Sequence, residues 1–357
     1  MCKCDISEQE APMRIPARSM LTALLLSALT LTMHGCGNDH TAPYREYHFT
    51  GMGGNITVLL AGTSENPDAA AEKCAKEMAA HGNSLSGDNP ASDVYAINGE
   101  INHFITEDET LMQMLTLSET VTELTGGSFD CTYGALYDLW QPGVIPEEAD
   151  VADALSHCGR DKFTVSGKTI TKNDTAAKLD FSALIPGMAV QKAVESLYEA
   201  GIPCGIVSVD DTCGVFGTKP DGDTFKIGLK DPRDTDAVFG YLTVNSGFIA
   251  SAGDYLNASA DSEKIHTVLD LSTGYPPETD LDSVTVYAAN GAAASALSSA
   301  LYVMGLDDAL ALYESDPAVL FEAVFVTESG EVIVTPGAAD LFELNGEKYM
   351  LRSSGLE

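Results

Sequence analysis

Apolar residues recur along this chain in two rhythms, and the switches between them mark its elements. HFTGMGGNITVLL (His48 to Leu60) alternates around a glycine-rich centre, which predicts a strand hairpin. Pro67 to His81 is Ala-rich with charges at helical spacing, and Leu111 to Thr125 repeats that rhythm until Gly126-Gly127 stops it, so both predict helices. A short helix is expected over Asp150 to His157, and strands over Phe163 to Thr171 and Lys178 to Phe181. Gly187 to Ala200 predicts a helix ended by Gly201 and Pro203, followed by a continuous apolar strand, CGIVSV, within Ile202 to Phe216. Further strands are expected at Phe225 to Leu229, Tyr241 to Asn245 and Phe248 to Ala250. Ala292 to Met304 predicts a helix and Val319 to Thr335 a closing strand pair. Helices and hairpins alternate irregularly, which predicts an α+β domain with mixed, largely antiparallel sheets flanked by helices.

Composition narrows the partners. The chain has 357 residues, 45% hydrophobic, enough for a large core. Nineteen Lys and Arg face 53 Asp and Glu, a net charge of -34, which argues against nucleic-acid binding. The acids are dispersed, as on a solvated acidic surface.

The N-terminus carries an address. Met20 to Met33 is an uncharged apolar run, too short for an ordinary membrane span and suited to the core of a signal peptide. Arg14 and Arg18 precede it and Gly35-Cys36 follow it. This is the pattern of a bacterial lipoprotein signal, with acylation expected at Cys36 and anchoring to the exported face of the membrane; an uncleaved anchor is the alternative. Met1 to Pro12 is acidic, so Met13 is a candidate start. The expected division is a signal peptide over residues 1–35, a tether over 36–48, one domain over 49–345 and a tail over 346–357. Beyond Cys36 stand Cys74, Cys131, Cys158, Cys204 and Cys213, an odd set with no CxxC, which indicates neither a zinc site nor a defined disulfide framework.

An ordered set of local motifs says more. MGGN begins at Met52, LSGDNPASDVYAIN runs from Leu85 to Asn98, and GGSFDCTYGALYDLW runs from Gly126 to Trp140. After them come LDFSALIPGMAV at Leu179, IGLKDPR at Ile227, IASAGDYLN at Ile249, IHTVLDLSTGYPP at Ile265 and SVTVYAANGAAASALSSALYVMG at Ser283. In content and order this series resembles the ApbE family, the FAD:protein FMN transferases. The resemblance implies an ApbE-like fold, FAD and Mg²⁺ in one cleft, and transfer of FMN to a Thr of an exported redox protein with release of AMP. It places Met52, Tyr95, Phe129, Asp130, Asp180, Gly187, Gly253 and Thr273 at the flavin nucleotide, Ala183, Ser295 and Ser299 at the metal, and His266 and Asp270 at the catalytic positions. For Met52, Tyr95 and Phe129, plain core packing explains the residue types equally well. Cys131, beside Asp130, reads as a reactive or a packed thiol.

The same resemblance exposes departures. The family's Gly-Ile-Ala-Lys-Gly reads Ala183-Leu184-Ile185-Pro186-Gly187, so its cation is Pro186. Its Gly-Gly turn is Asp210-Asp211, its His falls on Thr267 with His266 one place early, and its metal Asp and Thr are Ser295 and Ser299. A hard divalent cation prefers carboxylate oxygens to a neutral hydroxyl. Like charges 4 Å apart repel by about 4 kcal/mol at an effective dielectric near 20. Weak FAD binding, little enhanced by Mg²⁺, is therefore expected, the alternative being a metal relocated to Asp210 and Asp211. Two readings follow: a flavin transferase, or a non-catalytic lipoprotein of this fold that binds flavin or protein.

Overall fold

A computed structural model of the chain describes residues 44–61, 66–99, 102–140, 145–253, 268–315 and 321–355. Strands β1 (Tyr44–Gly51) and β2 (Gly54–Ala61) pair antiparallel about Met52 and Gly53. Both turn residues have positive φ, 57° and 80°, which suits the right-handed twist of a two-residue hairpin. Helices α1 (Pro67–Ser84) and α2 (Asp93–Asn98) follow, each with a polar cap: Asn66 accepts from the Ala69 N–H and Ser92 from the Tyr95 N–H. Then come β3 (His103–Ile105), α3 (Glu109–Leu124), α4 (Gly134–Tyr137), α5 (Glu148–Ser156), β4 (Phe163–Ser166), β5 (Thr169–Lys172) and α6 (Ile185–Glu199). Strands β6 (Cys204–Val209), β7 (Thr212–Gly217), β8 (Phe225–Asp231), β9 (Asp234–Val244), β10 (Gly247–Ala252) and β11 (Leu281–Ala288) lead to α7 (Gly291–Ser315). The chain closes with β12 (Phe321–Thr327), β13 (Glu331–Val334), β14 (Phe342–Leu344) and β15 (Met350–Ser353).

Nine strands form the central sheet in the order β1-β2-β6-β7-β10-β11-β12-β13-β15, antiparallel except for β13 beside β15. Both of its faces are covered. Val207, Val209, Phe321 and Phe325 pack toward α1, α3, α6 and α7, while Ile206, Val215, Val324 and Val326 pack toward the three-stranded sheet β14-β9-β8. A strand covered on both sides reads as a continuous apolar run, which is why CGIVSV is buried at every position. A second three-stranded sheet, β3-β5-β4, stands apart. The result is the α+β arrangement that the alternation predicts.

Several local expectations change. Phe163 to Thr171 is a hairpin, β4 and β5, turning at Gly167. Lys178 to Phe181 joins no strand ladder, because its backbone is bonded otherwise. Asn98 Nδ2 donates to the Leu179 carbonyl at 2.8 Å, and the Leu179 N–H donates back to Asn98 Oδ1 at 2.7 Å. The Asp180 N–H donates to the Cys131 carbonyl and the Gly134 N–H to the Lys178 carbonyl. Helix α7 runs past Met304, but Gly305 (φ 76°) interrupts it one residue later. Cys74, Cys131, Cys158, Cys204 and Cys213 are all buried and unbridged. Burial pushes the Cys131 thiol up, so it is the packed alternative that the structure supports.

One polar cluster fastens the C-terminal segment. Asp231, 2% exposed at the end of β8, accepts from Lys348 Nζ and Tyr349 Oη at 2.6 Å each, and from the Arg233 N–H at 2.8 Å. Arg233 continues to Asp282 and to the Thr327 and Glu328 carbonyls.

Candidate functional site

A cleft of about 510 Å³ opens where the start of α6, the first turns of α7 and the β6–β7 turn meet. Its volume lies in the range of small-molecule sites. The sequence-derived metal positions Ala183, Ser295 and Ser299 all line it, together with Pro186, Asp210, Asp211 and Ser251. Segments far apart in the chain are thus brought to one wall.

The wall is built by close backbone approach. A Cβ on Gly187 would lie 1.9 Å from the Gly291 carbonyl oxygen and 2.6 Å from Ser295 Oγ. A Cβ on Gly291 would lie 2.3 Å from the Gly187 carbonyl oxygen. Helices α6 and α7 therefore touch backbone to backbone, and Ser295 is carried over Gly187. Gly187 serves this contact and is not among the residues lining the cleft. Ser295 is 5% exposed, and its hydroxyl, fully buried, has no hydrogen-bond partner among the described residues. Such a group is costly unless a ligand satisfies it.

Asp210 and Asp211 form the two-residue turn joining β6 to β7, with Val209 opposite Thr212. Asp210 has φ 49°, a left-handed conformation that favours glycine. Its carboxyl leans over Gly54, where a Cβ would meet Asp210 Oδ1 at 2.3 Å. Desolvation against the wall, and then the neighbouring Asp211 charge, push the Asp210 carboxyl up; the Asn55 N–H and Lys230 oppose this. Asp211 is tied to Lys230, whose Nζ lies 2.7 Å from its Oδ1.

The remaining candidates lie elsewhere. Phe129 is core, 6% exposed, and Tyr95 is 46% exposed on α2. Met52 packs on Gly82, its Cγ within 3.2 Å of where a Cβ there would sit. Asp130 is buried, accepts from the Thr132 N–H and Oγ1, and is pushed up by burial; it lines a smaller pocket with Cys131 and Arg160. Asp180 accepts from the Ser182 N–H and hydroxyl, and burial raises its carboxyl too. Gly253 is buried just beyond β10. Asp270 accepts from the Ser272 N–H at 2.8 Å within its own turn, and Thr273 is exposed there. That turn is pinned by Trp140, whose Nε1 donates to the Gly274 carbonyl at 3.0 Å. Asp270 lines a third hollow, with Gly126, Gly127 and Ser128. Among the described residues, Asp130 and Asp270 line hollows other than the Ser295 cleft, and each carboxylate accepts hydrogen bonds within its own turn. His266, Thr267 and Cys36 lie outside the described residues.

Lys230 is the cleft residue that the sequence reading passed over. Alternation along β8 carries the signal: Phe225, Ile227, Leu229 and Asp231 are buried, so Lys226, Gly228 and Lys230 face the other way.

The donor set does not fit a hard divalent cation. Ser295, Ser298 and Ser299 offer neutral hydroxyls, Asp211 is already paired with Lys230, and the Asp210 carboxyl leans over Gly54. Among the described residues, no group of three or more His, Cys, Asp or Glu is placed to hold a metal.

Comparison with known proteins agrees with the motif series. Residues 52–323 match the ApbE family. A FAD:protein FMN transferase of Treponema pallidum is 24% identical over 290 residues, 75% of this chain and 79% of that protein. One of Haemophilus influenzae is 23% identical, covering 87% of this chain and 96% of that protein. The crystal structure of the ApbE protein of Thermotoga maritima superposes with a TM-score of 0.76 at 26% identity, over 84% of this chain and 99% of that one. The apo flavinyl transferase ApbE of Pseudomonas stutzeri gives 0.73 at 23% identity, over 87% and 100%. With three quarters of its length matched and the fold shared over 84% of it, the chain belongs to the ApbE family.

Proposed function

We propose that this protein is a flavin-handling member of the FAD:protein FMN transferase family that receives FAD in the Ser295 cleft but transfers FMN poorly. The observation that carries this reading is Ser295 itself. Its hydroxyl is buried without a partner among the described residues, and the motif resemblance puts it where the family has its metal carboxylate. FMN transfer needs charge stabilisation on the phosphate oxygens, and this cleft offers neither a metal-binding carboxylate set nor a cation at Pro186. Parts of such a site act together, so losing one removes much of the rate.

The test is FAD with Mg²⁺ and a Thr-bearing acceptor protein, followed by in-gel flavin fluorescence and AMP release. Yellow protein without labelling or AMP is the expected result. Combining Ser295→Asp with Asp210→Gly and Asp211→Gly should restore Mg²⁺-dependent FAD binding. Robust labelling by the unaltered protein would show that the family's reaction runs here on other ligands.

The same reading assigns the protein to the exported face of a membrane, acylated at Cys36 after loss of the preceding segment. Its support is the apolar run ending at Gly35-Cys36. Mass spectrometry of the membrane fraction decides it; an unmodified Cys36 with Met13 or Met1 still attached refutes it.

A further inference from the structure

If no divalent ion neutralises a phosphate here, something else must, and the described residues of the cleft contain one candidate. Lys230 projects from β8 to the cleft and is the only cation among its described lining residues. Its ammonium has three N–H donors, and Asp211 takes one of them at 2.7 Å. The two side chains are 26% and 14% exposed, so the pair is shielded from solvent more than a surface ion pair. The other pointer to a ligand is independent of this pair. Ser295 lines the same cavity from α7, its buried hydroxyl is without a partner among the described residues, and a hydroxyl can donate to a phosphate oxygen as readily as it fails to hold Mg²⁺.

We propose that this cleft binds the diphosphate of a nucleotide without a metal, with Lys230 as the phosphate cation, Ser295 as a hydroxyl donor and Asp211 as the internal group that the phosphate displaces. This rests on the flavin reading for the identity of the nucleotide, but not for the chemistry of the diphosphate. Asp211 has two roles in it. With the cleft empty it keeps the ammonium paired and positioned on the cleft wall. With a phosphate present it competes, so affinity is lower than the lysine alone would give. The turn backbone supports the arrangement, since the Asp211 carbonyl accepts from the Ser251 N–H and ties the turn to β10.

Calorimetry on the purified protein tests this, with EDTA or Mg²⁺ present and FAD, inorganic pyrophosphate and riboflavin as probes. FAD and pyrophosphate are expected to bind in EDTA, with Mg²⁺ changing either affinity by less than about threefold. Lys230→Gln should weaken both about tenfold and leave riboflavin unchanged, the size of a charge-assisted hydrogen bond. Lys230→Arg, which keeps the charge, should bind pyrophosphate nearly as well, and unchanged melting of both variants excludes misfolding. Asp211→Asn should tighten pyrophosphate by about threefold or more, and Ser295→Ala should weaken it by a similar factor. Pyrophosphate binding that needs Mg²⁺, or that ignores Lys230→Gln, overturns the proposal. FAD binding that appears only with Mg²⁺ overturns it too, while leaving the flavin reading intact. Lys230-dependent pyrophosphate binding without FAD binding supports it and removes the flavin reading instead.

Discussion

Asp231 and Asp210 both sit at the ends of strands that begin hairpins, and they are treated in opposite ways. At Asp231, burial raises the carboxyl, but hydrogen bonds from Lys348, Tyr349 and the Arg233 N–H outweigh it and hold the group below its ordinary value. The backbone needs no unusual conformation there. At Asp210, desolvation and the Asp211 charge prevail, the carboxyl is pushed up, and the backbone sits at φ 49°. The first region spends its polar groups on one another. The second leaves a strained turn, a raised carboxyl and, in the cavity wall, a buried hydroxyl without a partner among the described residues. Groups left unsatisfied in a cleft, beside a clasp where every partner is present, mark where a ligand is accommodated.

The largest test of that contrast is Asp231→Ala. It strands the buried Tyr349 hydroxyl and frees the C-terminal segment, and it should cost about 3 kcal/mol of stability by denaturant titration. A loss below about 1 kcal/mol would mean that the clasp is ornamental. Next is Ser295→Asp, which places an unpaired carboxylate at a buried position. It should cost about 2 kcal/mol in EDTA, and added Mg²⁺ should recover part of that loss by binding only the folded state. Smaller still is Asp210→Gly, expected to stabilise the fold by about 1 kcal/mol, because glycine adopts positive φ without a Cβ penalty. A destabilised Asp210→Gly would show that the carboxylate contributes more than its turn costs.

pH separates the two aspartates by sign. A depressed carboxyl contributes stability that is present above its unfolded pKa, about 3.9, and lost as pH falls through the lower folded value. The deficit of Asp231→Ala should therefore shrink below about pH 4. A raised carboxyl does the reverse: it costs stability as pH rises through its folded pKa. The electrostatic part of the Asp210→Gly gain should thus vanish in acid, leaving only its backbone part. Melting temperatures of the three proteins across an acid series check both.

Much of this architecture was legible in the residues. Helices α1, α3, α5 and α6 declared themselves by period and stop signals, and β6 by an apolar run that only a doubly covered strand requires. What escaped was set by tertiary partners. Lys178 to Phe181 has strand composition, yet its backbone bonds go to the Asn98 side chain and the Asp130–Gly134 turn, contacts that no local pattern encodes. The motif series located the family and brought Ala183, Ser295 and Ser299 to one wall. It could not tell that Asp270 caps its own turn, or that Gly187 is kept small for a helix contact and not for a ligand. Lys230 was passed over because IGLKDPR entered only as one motif of the series, and the alternation that turns its lysine away from the buried face was not used.

The contact between Gly187 and Gly291 has a consequence for how this protein can change. Each position forbids a side chain at the other, since either Cβ would enter the facing carbonyl. A single substitution at either residue has to push two helices apart, and a paired substitution makes it worse. The route through sequence space is closed at these two positions. One turn along the same helix, exchanges such as Ser295→Ala alter only what faces the cavity. A scaffold locked in this way can trade one ligand chemistry for another while the spacing of its walls stays fixed.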